Sequence, residues 1–153
     1  MLIYNTSIFK TKLGYFKLTS KKNKIISFYP YNKENIIKLS NNILHINFLN
    51  FIQNYFDNKK SKLKFSIDFK GTFFENLVWK EICKIRYGQT KSYAEIANKI
   101  ESSPRAVGNA CAKNQCLLII PCHRVIRSDG TYGKYVLGNK IKEQLIKLES
   151  YGK

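Results

Sequence analysis

The stretch Ser92-Tyr93-Ala94-Glu95-Ile96-Ala97-Asn98-Lys99-Ile100-Glu101-Ser102-Ser103-Pro104-Arg105-Ala106-Val107-Gly108-Asn109-Ala110 contains two helix starts in quick succession. Ser92 with Glu95 fits a capping box, in which each side chain satisfies a backbone N–H that the first helical turn leaves open. Ser103 followed by Pro104 offers an N-cap with proline at the first helical position. The spacing predicts helices over 93–100 and 104–113, joined by only Glu101-Ser102-Ser103, which fits a helix-turn-helix. Arg105 opens the second helix. It reads either as a solvated surface arginine or as a group reaching into a groove. Ala106, Gly108, Ala110 and Ala112 follow at alternate positions, so they line no single face but make the helix slim. Gly108 costs helix stability relative to alanine, which close packing or a close ligand approach would explain.

Downstream lies Leu117-Leu118-Ile119-Ile120-Pro121-Cys122-His123-Arg124-Val125. The apolar run reads as a short buried strand. Its end delivers a thiol beside a histidine. A thiolate is a strong nucleophile, but an ordinary cysteine is mostly protonated at neutral pH and needs a base. The alternative is a buried cysteine acting as a small apolar residue. Neighbouring residues on a strand face opposite ways, so contact between Cys122 and His123 requires the backbone to turn or a water to bridge them. His123 would need a third group to fix its tautomer, and Glu149 on the last predicted helix is a plausible partner. Tyr93 reads either as a group that stacks on or hydrogen-bonds a base, or as a core residue.

Working outward, Thr72 with Glu75 repeats the capping-box pattern and predicts a helix over 73–85, and a final helix falls at 139–150. Leu44, Phe48, Phe51, Ile52, Tyr55 and Phe56 recur at helical spacing and predict a helix near 40–57. Residues 1 to about 30 alternate in the manner of a β-meander, with a turn at Lys21-Lys22-Asn23-Lys24. The basic connection Asp57 to Lys64 is the best boundary candidate. The fold class is therefore α+β: an N-terminal β-rich structural domain with one helix over 1–68, and a mainly helical C-terminal domain over 69–153 containing the helix-turn-helix.

The chain has 153 residues, with 27 basic against 10 acidic side chains and a net charge of +17. That excess attracts phosphates or anionic membranes, although lysines spread along the chain also fit a biased coding composition. No apolar run approaches the ~20 residues of a membrane span, and Met1 to Thr6 lacks the features of a signal peptide. An intracellular protein is expected, cytoplasmic in a prokaryote and nuclear in a eukaryote. Cys83, Cys111, Cys116 and Cys122 contain no C-x-x-C pair, and His45 and His123 are the two histidines. Neither a metal nor a disulfide framework is expected.

These motifs together resemble the O6-alkylguanine-DNA alkyltransferase family, the methylated-DNA–protein-cysteine methyltransferases. The resemblance runs from about 71 to 149. It rests on Gly71-Thr72-x-Phe74-Glu75-x-x-Val78-Trp79, Gly88-x-Thr90-x-Ser92-Tyr93-x-x-Ile96-Ala97, Arg105-Ala106-Val107-Gly108-x-Ala110 and Asn114. It continues through Pro121-Cys122-His123-Arg124-Val125-Ile126, Ser128-Asp129-Gly130, Gly133-x-Tyr135 and Lys142 to Glu149. Over 1–70 the similarity is loose, with Asn54-Tyr55-Phe56 resembling the family's helix end.

The resemblance implies direct-reversal repair by a single-turnover acceptor. The partner would be double-stranded DNA containing O6-alkylguanine, with O4-alkylthymine a second candidate substrate. The protein would act as a monomer, with no membrane and no cofactor. The helix-turn-helix would enter the minor groove, the damaged base would be flipped out, and Cys122 would keep the alkyl group as a thioether. Arg105 resembles the finger that fills the vacated space, with Ala106, Gly108 and Ala110 along the same helix. Lys113 and Arg124 are candidates for phosphate contact. Tyr93 resembles the tyrosine that assists flipping and bonds the base. Asn114 resembles a hinge between recognition helix and active-site segment. His123 would take the thiol proton through water, oriented by Glu149. Backbone N–H groups of Cys122 and Val136 would meet O6, Tyr135 would wall the pocket, and Lys142 would support the active-site loop.

The chain departs from the pattern at Gln115, where proline usually follows the hinge asparagine. It also departs at Ile85-Arg86-Tyr87 before Gly88, and at Val136-Leu137, where small residues are common. The bulk at Val136 bears on tolerance of large adducts. Two other classes fit parts of the pattern. A non-enzymatic alkylguanine-binding protein would lack the cysteine, and a helix-turn-helix regulator would survive its loss.

Overall fold

The computed structural model describes residues 3–59 and 64–151. It divides into two units, Met1–Phe69 and Lys70–Lys153. Part of the expected connection Asp57 to Lys64, residues 60–63, lies outside the described residues.

The first unit is an antiparallel sheet in the order β1 (Tyr4–Thr11), β2 (Gly14–Lys21), β3 (Lys24–Pro30). Lys21 pairs with Lys24 across a two-residue turn in which Lys22 and Asn23 have φ of 48° and 59°. Two left-handed residues match the twist of a hairpin, so this turn closes the meander tightly. Phe9, Phe16, Leu18 and Phe28 share one side of the sheet and are buried. Helix α1 (Ile43–Phe56) lies against that side, with the Phe28 ring 4.7 Å from Phe16 and 4.8 Å from Phe48. Asn42 starts α1 by accepting from the Leu44 N–H at 2.9 Å, so the helix begins later than its apolar spacing suggests. Buried His45 is held between Ser7 Oγ at 2.7 Å and Ser20 Oγ at 2.8 Å. Burial lowers its pKa, so it serves as a neutral polar tie between helix and sheet.

The second unit contains α2 (Phe73–Ile82), β4 (Lys91–Ser92), α3 (Tyr93–Lys99), α4 (Pro104–Ala112), β5 (Val125–Ile126) and α5 (Asn139–Ser150). Both capping boxes form: Thr72 with Glu75 and Ser92 with Glu95 exchange side-chain and backbone bonds. Ser103 Oγ accepts from the Ala106 N–H at 3.2 Å, with Pro104 opening α4. Helix α2 stops at Ile82 rather than 85 because the next bonds tighten, Lys84 N–H to Glu81 and Ile85 N–H to Ile82. Trp79 Nε1 donates to the Ala110 carbonyl at 2.9 Å and locks α2 to α4. The short strands β4 and β5 run parallel, tying the entry of α3 to the segment after Cys122. Two-residue strands carry no periodicity, and the sequence gives no sign of them.

Gly71 packs under this Trp79. A Cβ there would fall 2.4 Å from the indole and 2.8 Å from Glu75 Cβ. Gly71→Ala is expected to cost about 1–3 kcal/mol by overpacking, read as a lower midpoint in denaturant with an unchanged slope. A midpoint equal to the parent's would show that the indole yields freely.

Leu117, Leu118 and Ile120 are buried, but 117–120 is not the expected strand. Leu118 has φ of 68°, and the Ile120 N–H returns to the Cys116 carbonyl at 2.9 Å. Asn114 explains the turn: its Oδ1 accepts from the Cys116 N–H, and its Nδ2 donates to the Ile120 carbonyl, both at 2.8 Å. The apolar run reported burial correctly, but one side chain holds both ends of the loop together.

Candidate active site

Cys122 opens a 3-10 turn, Cys122–Arg124, rather than ending a strand. The turn lets consecutive residues serve one site, which an extended backbone does not. Asn114 Nδ2, already bonded to Ile120, lies 3.2 Å from Cys122 Sγ. Asn114 therefore shapes the loop and touches the thiol with one amide. The Cys122 thiol is buried, and burial pushes its pKa well above 9.0. The neighbouring Cys111 thiol pushes the same way, while the Asn114 amide opposes both. The resting group is thus a thiol that needs a base.

His123, fully buried, places Nε2 2.7 Å from Glu149 Oε1. A carboxylate only accepts, so Nε2 carries the hydrogen of the neutral ring and Nδ1 is the basic nitrogen. Burial holds the imidazole below its usual 6.5, against the pull of Glu149, so it is neutral at pH 7. Burial alone would raise the Glu149 carboxyl. Its bonds from His123 and Arg124 outweigh this and hold it at about 2. The permanent charge opposite Glu149 is Arg124; His123 contributes as a neutral donor. The Gly88 N–H adds a longer bond to Oε2 at 3.3 Å.

Arg124 is therefore corrected as a phosphate contact. Its Nε and Nη2 reach Glu149 at 2.8 and 3.0 Å, its Nη1 donates to the Ile85 carbonyl at 2.7 Å, and its side chain is 12% exposed. The Tyr87 ring lies 5.8 Å from its guanidinium. The unusual Ile85-Arg86-Tyr87 segment thus supplies both an acceptor and a cover for this cation. Lys113 is exposed, but Glu75 Oε1 holds its ammonium at 2.8 Å. Ala110 is buried and offers its carbonyl to Trp79, so it faces the core and not a groove.

A cavity of about 740 Å³ opens between α3, α4 and the loop after β5. Tyr93, Arg105, Gly108, Tyr135 and Val136 line it, which brings together residues far apart in the chain. Ala106, Lys113 and Lys142 are not among its walls, and neither are Asn114, His123, Glu149 and Cys122, whose thiol lies behind wall residue Cys111. Lys142 is buried behind the walls, its Nζ donating to Tyr93 Oη at 3.2 Å and lying 5.4 and 6.0 Å from the Tyr93 and Tyr135 rings. Burial lowers its pKa to about 8. Tyr135 also meets the His123 ring edge-on at 6.3 Å, which joins the cavity wall to the His–Glu pair. Gly133, at φ 65°, passes so close to Tyr93 that a Cβ would sit 3.1 Å from the ring.

Among the wall residues that the sequence reading did not name as site residues are a thiol, Cys111, and two cations, Arg127 and Lys134. Cys111 stands next to Cys122 in space but a loop apart in sequence. Arg127 and Lys134 lie in irregular backbone, where no pattern signals which way a side chain points. Among the described residues no helix is long and apolar enough to cross a membrane.

The family described as "6-O-methylguanine DNA methyltransferase, DNA binding domain" matches residues 73–151. Methylated-DNA–protein-cysteine methyltransferases of Sulfurisphaera tokodaii and Methanosarcina barkeri are 44% and 45% identical over 96 and 100 residues. Those alignments cover 62% and 64% of this chain and 61% and 63% of the relatives, so the chain spans about three fifths of their length. A crystal structure of the Mycobacterium tuberculosis O6-methylguanine methyltransferase superposes with a TM-score of 0.85 at 26% identity, covering 99% of this chain and 95% of that one. The Mycobacterium tuberculosis OGT in complex with DNA gives 0.83 at 28% identity, covering 97% and 93%. The capped helix pair, the Asn114-held loop and the matched segment agree: the chain belongs to the 6-O-methylguanine DNA methyltransferase family.

Proposed function

We propose that this protein repairs DNA by direct reversal, with Cys122 as the stoichiometric acceptor for the alkyl group of O6-alkylguanine. The observation that carries this reading is the buried thiol beside both Asn114 Nδ2 and a neutral His123 oriented by Glu149, with Cys111 linking that thiol to the wall of the roughly 740 Å³ cavity. Water would carry the Cys122 proton to His123 Nδ1. The thiolate would attack the alkyl carbon, the carbon–O6 bond would break, and guanine would leave with the electron pair and be protonated. The thioether is not hydrolysed, so each chain acts once. Backbone N–H groups of Cys122 and Val136 would meet O6, and Tyr93, braced by Lys142, would contact the flipped base. A monomer would enter the minor groove with α4.

The named relatives and the DNA complex of the Mycobacterium tuberculosis protein favour this reading over a transcriptional regulator. The presence of Cys122 favours it over a binding protein without an acceptor. Intact mass after mixing with a duplex carrying O6-methylguanine tests it. One methyl, about 14 Da on covalent arithmetic, should appear at Cys122 and stop at one equivalent. Repeated turnover, or methyl on another cysteine, would sink the reading.

Arg105 is exposed at the cavity rim. If it fills the space left by the flipped base, Arg105→Ala should slow repair of duplex DNA more than transfer from free O6-benzylguanine, which needs no flipping. Paired rate measurements decide it, and equal losses on both substrates would remove the finger role.

A further inference from the structure

The first unit has a sheet with one side covered by α1 and one side turned away. Strand register places Tyr4, Lys21 and Lys24 in one row on the outer side, then Thr6, Thr19 and Ser27, then Lys17 and Tyr29, then Lys10 and Tyr15. Ile8 shares this side and is itself buried. Tyr4 is 55% exposed, Lys10 and Lys17 are exposed, and Tyr15 and Tyr29 are half-buried. Lys21 Nζ lies 5.3 Å from the Tyr4 ring and Lys10 Nζ 5.8 Å from the Tyr15 ring. Aromatic faces on this side thus meet lysine ammonium groups of the same sheet rather than the core. The first 33 residues hold seven lysines and no aspartate or glutamate, so no carboxylate of this segment competes for the lysines.

Tyrosines interleaved with lysines and hydroxyls on an open antiparallel sheet have the chemistry of a single-strand platform. Lysines neutralise phosphates, ring faces stack on bases of any identity, and hydroxyls bond sugars or base edges. An eight-residue strand runs roughly 27 Å, room for a site near the short end of the ~4–16 nucleotides such platforms hold. A membrane would use the lysines equally, but tyrosines that are already half-buried among them give it little to insert. We propose that the outer face of β1–β3 binds single-stranded nucleic acid, independently of the acceptor site in the second unit.

The test uses the full chain, a fluorescent oligothymidylate, an undamaged duplex of equal length and phosphatidylserine vesicles. Two variants separate stacking from charge: Tyr15→Leu with Tyr29→Leu, and Lys17→Glu with Lys21→Glu. The tyrosine pair should weaken oligothymidylate binding at least about 5-fold, the lower end of losing one stacked base. Duplex affinity and methyl transfer to Cys122 should stay at the parent level. The lysine pair should weaken binding too and lower the salt slope by about 0.7 for each phosphate no longer neutralised. Thermal melting checks folding; if the tyrosine pair does not fold, the lysine pair decides. Unchanged oligothymidylate binding in the folded variants overturns the proposal. So does an equal loss on duplex with no effect of the tyrosines, or a loss confined to the vesicles.

Discussion

Cys122→Ser is expected to abolish alkyl transfer, by on the order of 10⁴-fold or more, while the protein stays folded and still binds damaged duplex. A hydroxyl is a far weaker nucleophile than a thiolate and is harder to deprotonate with a neutral imidazole. The substitution leaves the Asn114 bonds to Cys116 and Ile120 intact, so the loop should keep its shape. Single-turnover transfer with mass readout measures the loss, and a gel-shift titration checks the retained binding. Cys111 is the informative companion. Its thiol helps to keep Cys122 protonated, so Cys111→Ala should lower the pH at which transfer reaches half its maximum. The rate at neutral pH should then rise or hold. A Cys111→Ala protein that no longer accepts alkyl would mean that the wrong cysteine holds the acceptor role.

The second large effect is expected at the buried cluster of His123, Arg124 and Glu149. Arg124→Ala leaves the Glu149 carboxylate without its charged partner, and breaking such a buried pair costs about 3–5 kcal/mol. Chemical denaturation should show this directly. A phosphate-binding arginine would behave differently: stability would hold, and the salt slope of duplex binding would fall by about 0.9. Glu149→Gln should slow transfer by about 10²–10⁴-fold, because an amide cannot hold His123 in the required tautomer as firmly. The cluster is also expected to contribute to the acid limit. Glu149 has a folded pKa of about 2 against a reference of 4.5. Its contribution is therefore complete above 4.5 and is lost as pH falls toward 2. Glu149→Gln should flatten that part of the stability–pH curve. A parent and variant with parallel acid limbs would assign the acid lability elsewhere.

The helix-turn-helix was readable from the chain because its signals are local. Ser92, Glu95, Ser103 and Pro104 satisfy backbone groups within one turn of themselves, so sequence spacing and spatial spacing are the same thing. The meander was readable for a similar reason: a tight turn at Lys22-Asn23 joins strands whose alternation can be counted. The Pro121-Cys122-His123 stretch announced its residue types, and the expected pairing of His123 with Glu149 forms at 2.7 Å.

What tertiary structure decided is wherever a contact crosses many residues. Leu117–Ile120 has the composition of a strand, yet Asn114 turns it into a loop with Leu118 left-handed. Burial is legible in apolar content, but direction depends on which partner fills the hydrogen bonds. Arg124 looks like a surface cation in sequence because nothing nearby neutralises it; Glu149 and the Ile85 carbonyl do so only in the folded chain. Lys113 is matched by Glu75 in the same way. Cys111 meets Cys122 because the loop between them folds back. The sequence by itself determined which elements form and which groups could react. The folded chain determined which charges are neutralised, because a charge is matched by its neighbours in space, and those are not its neighbours in sequence.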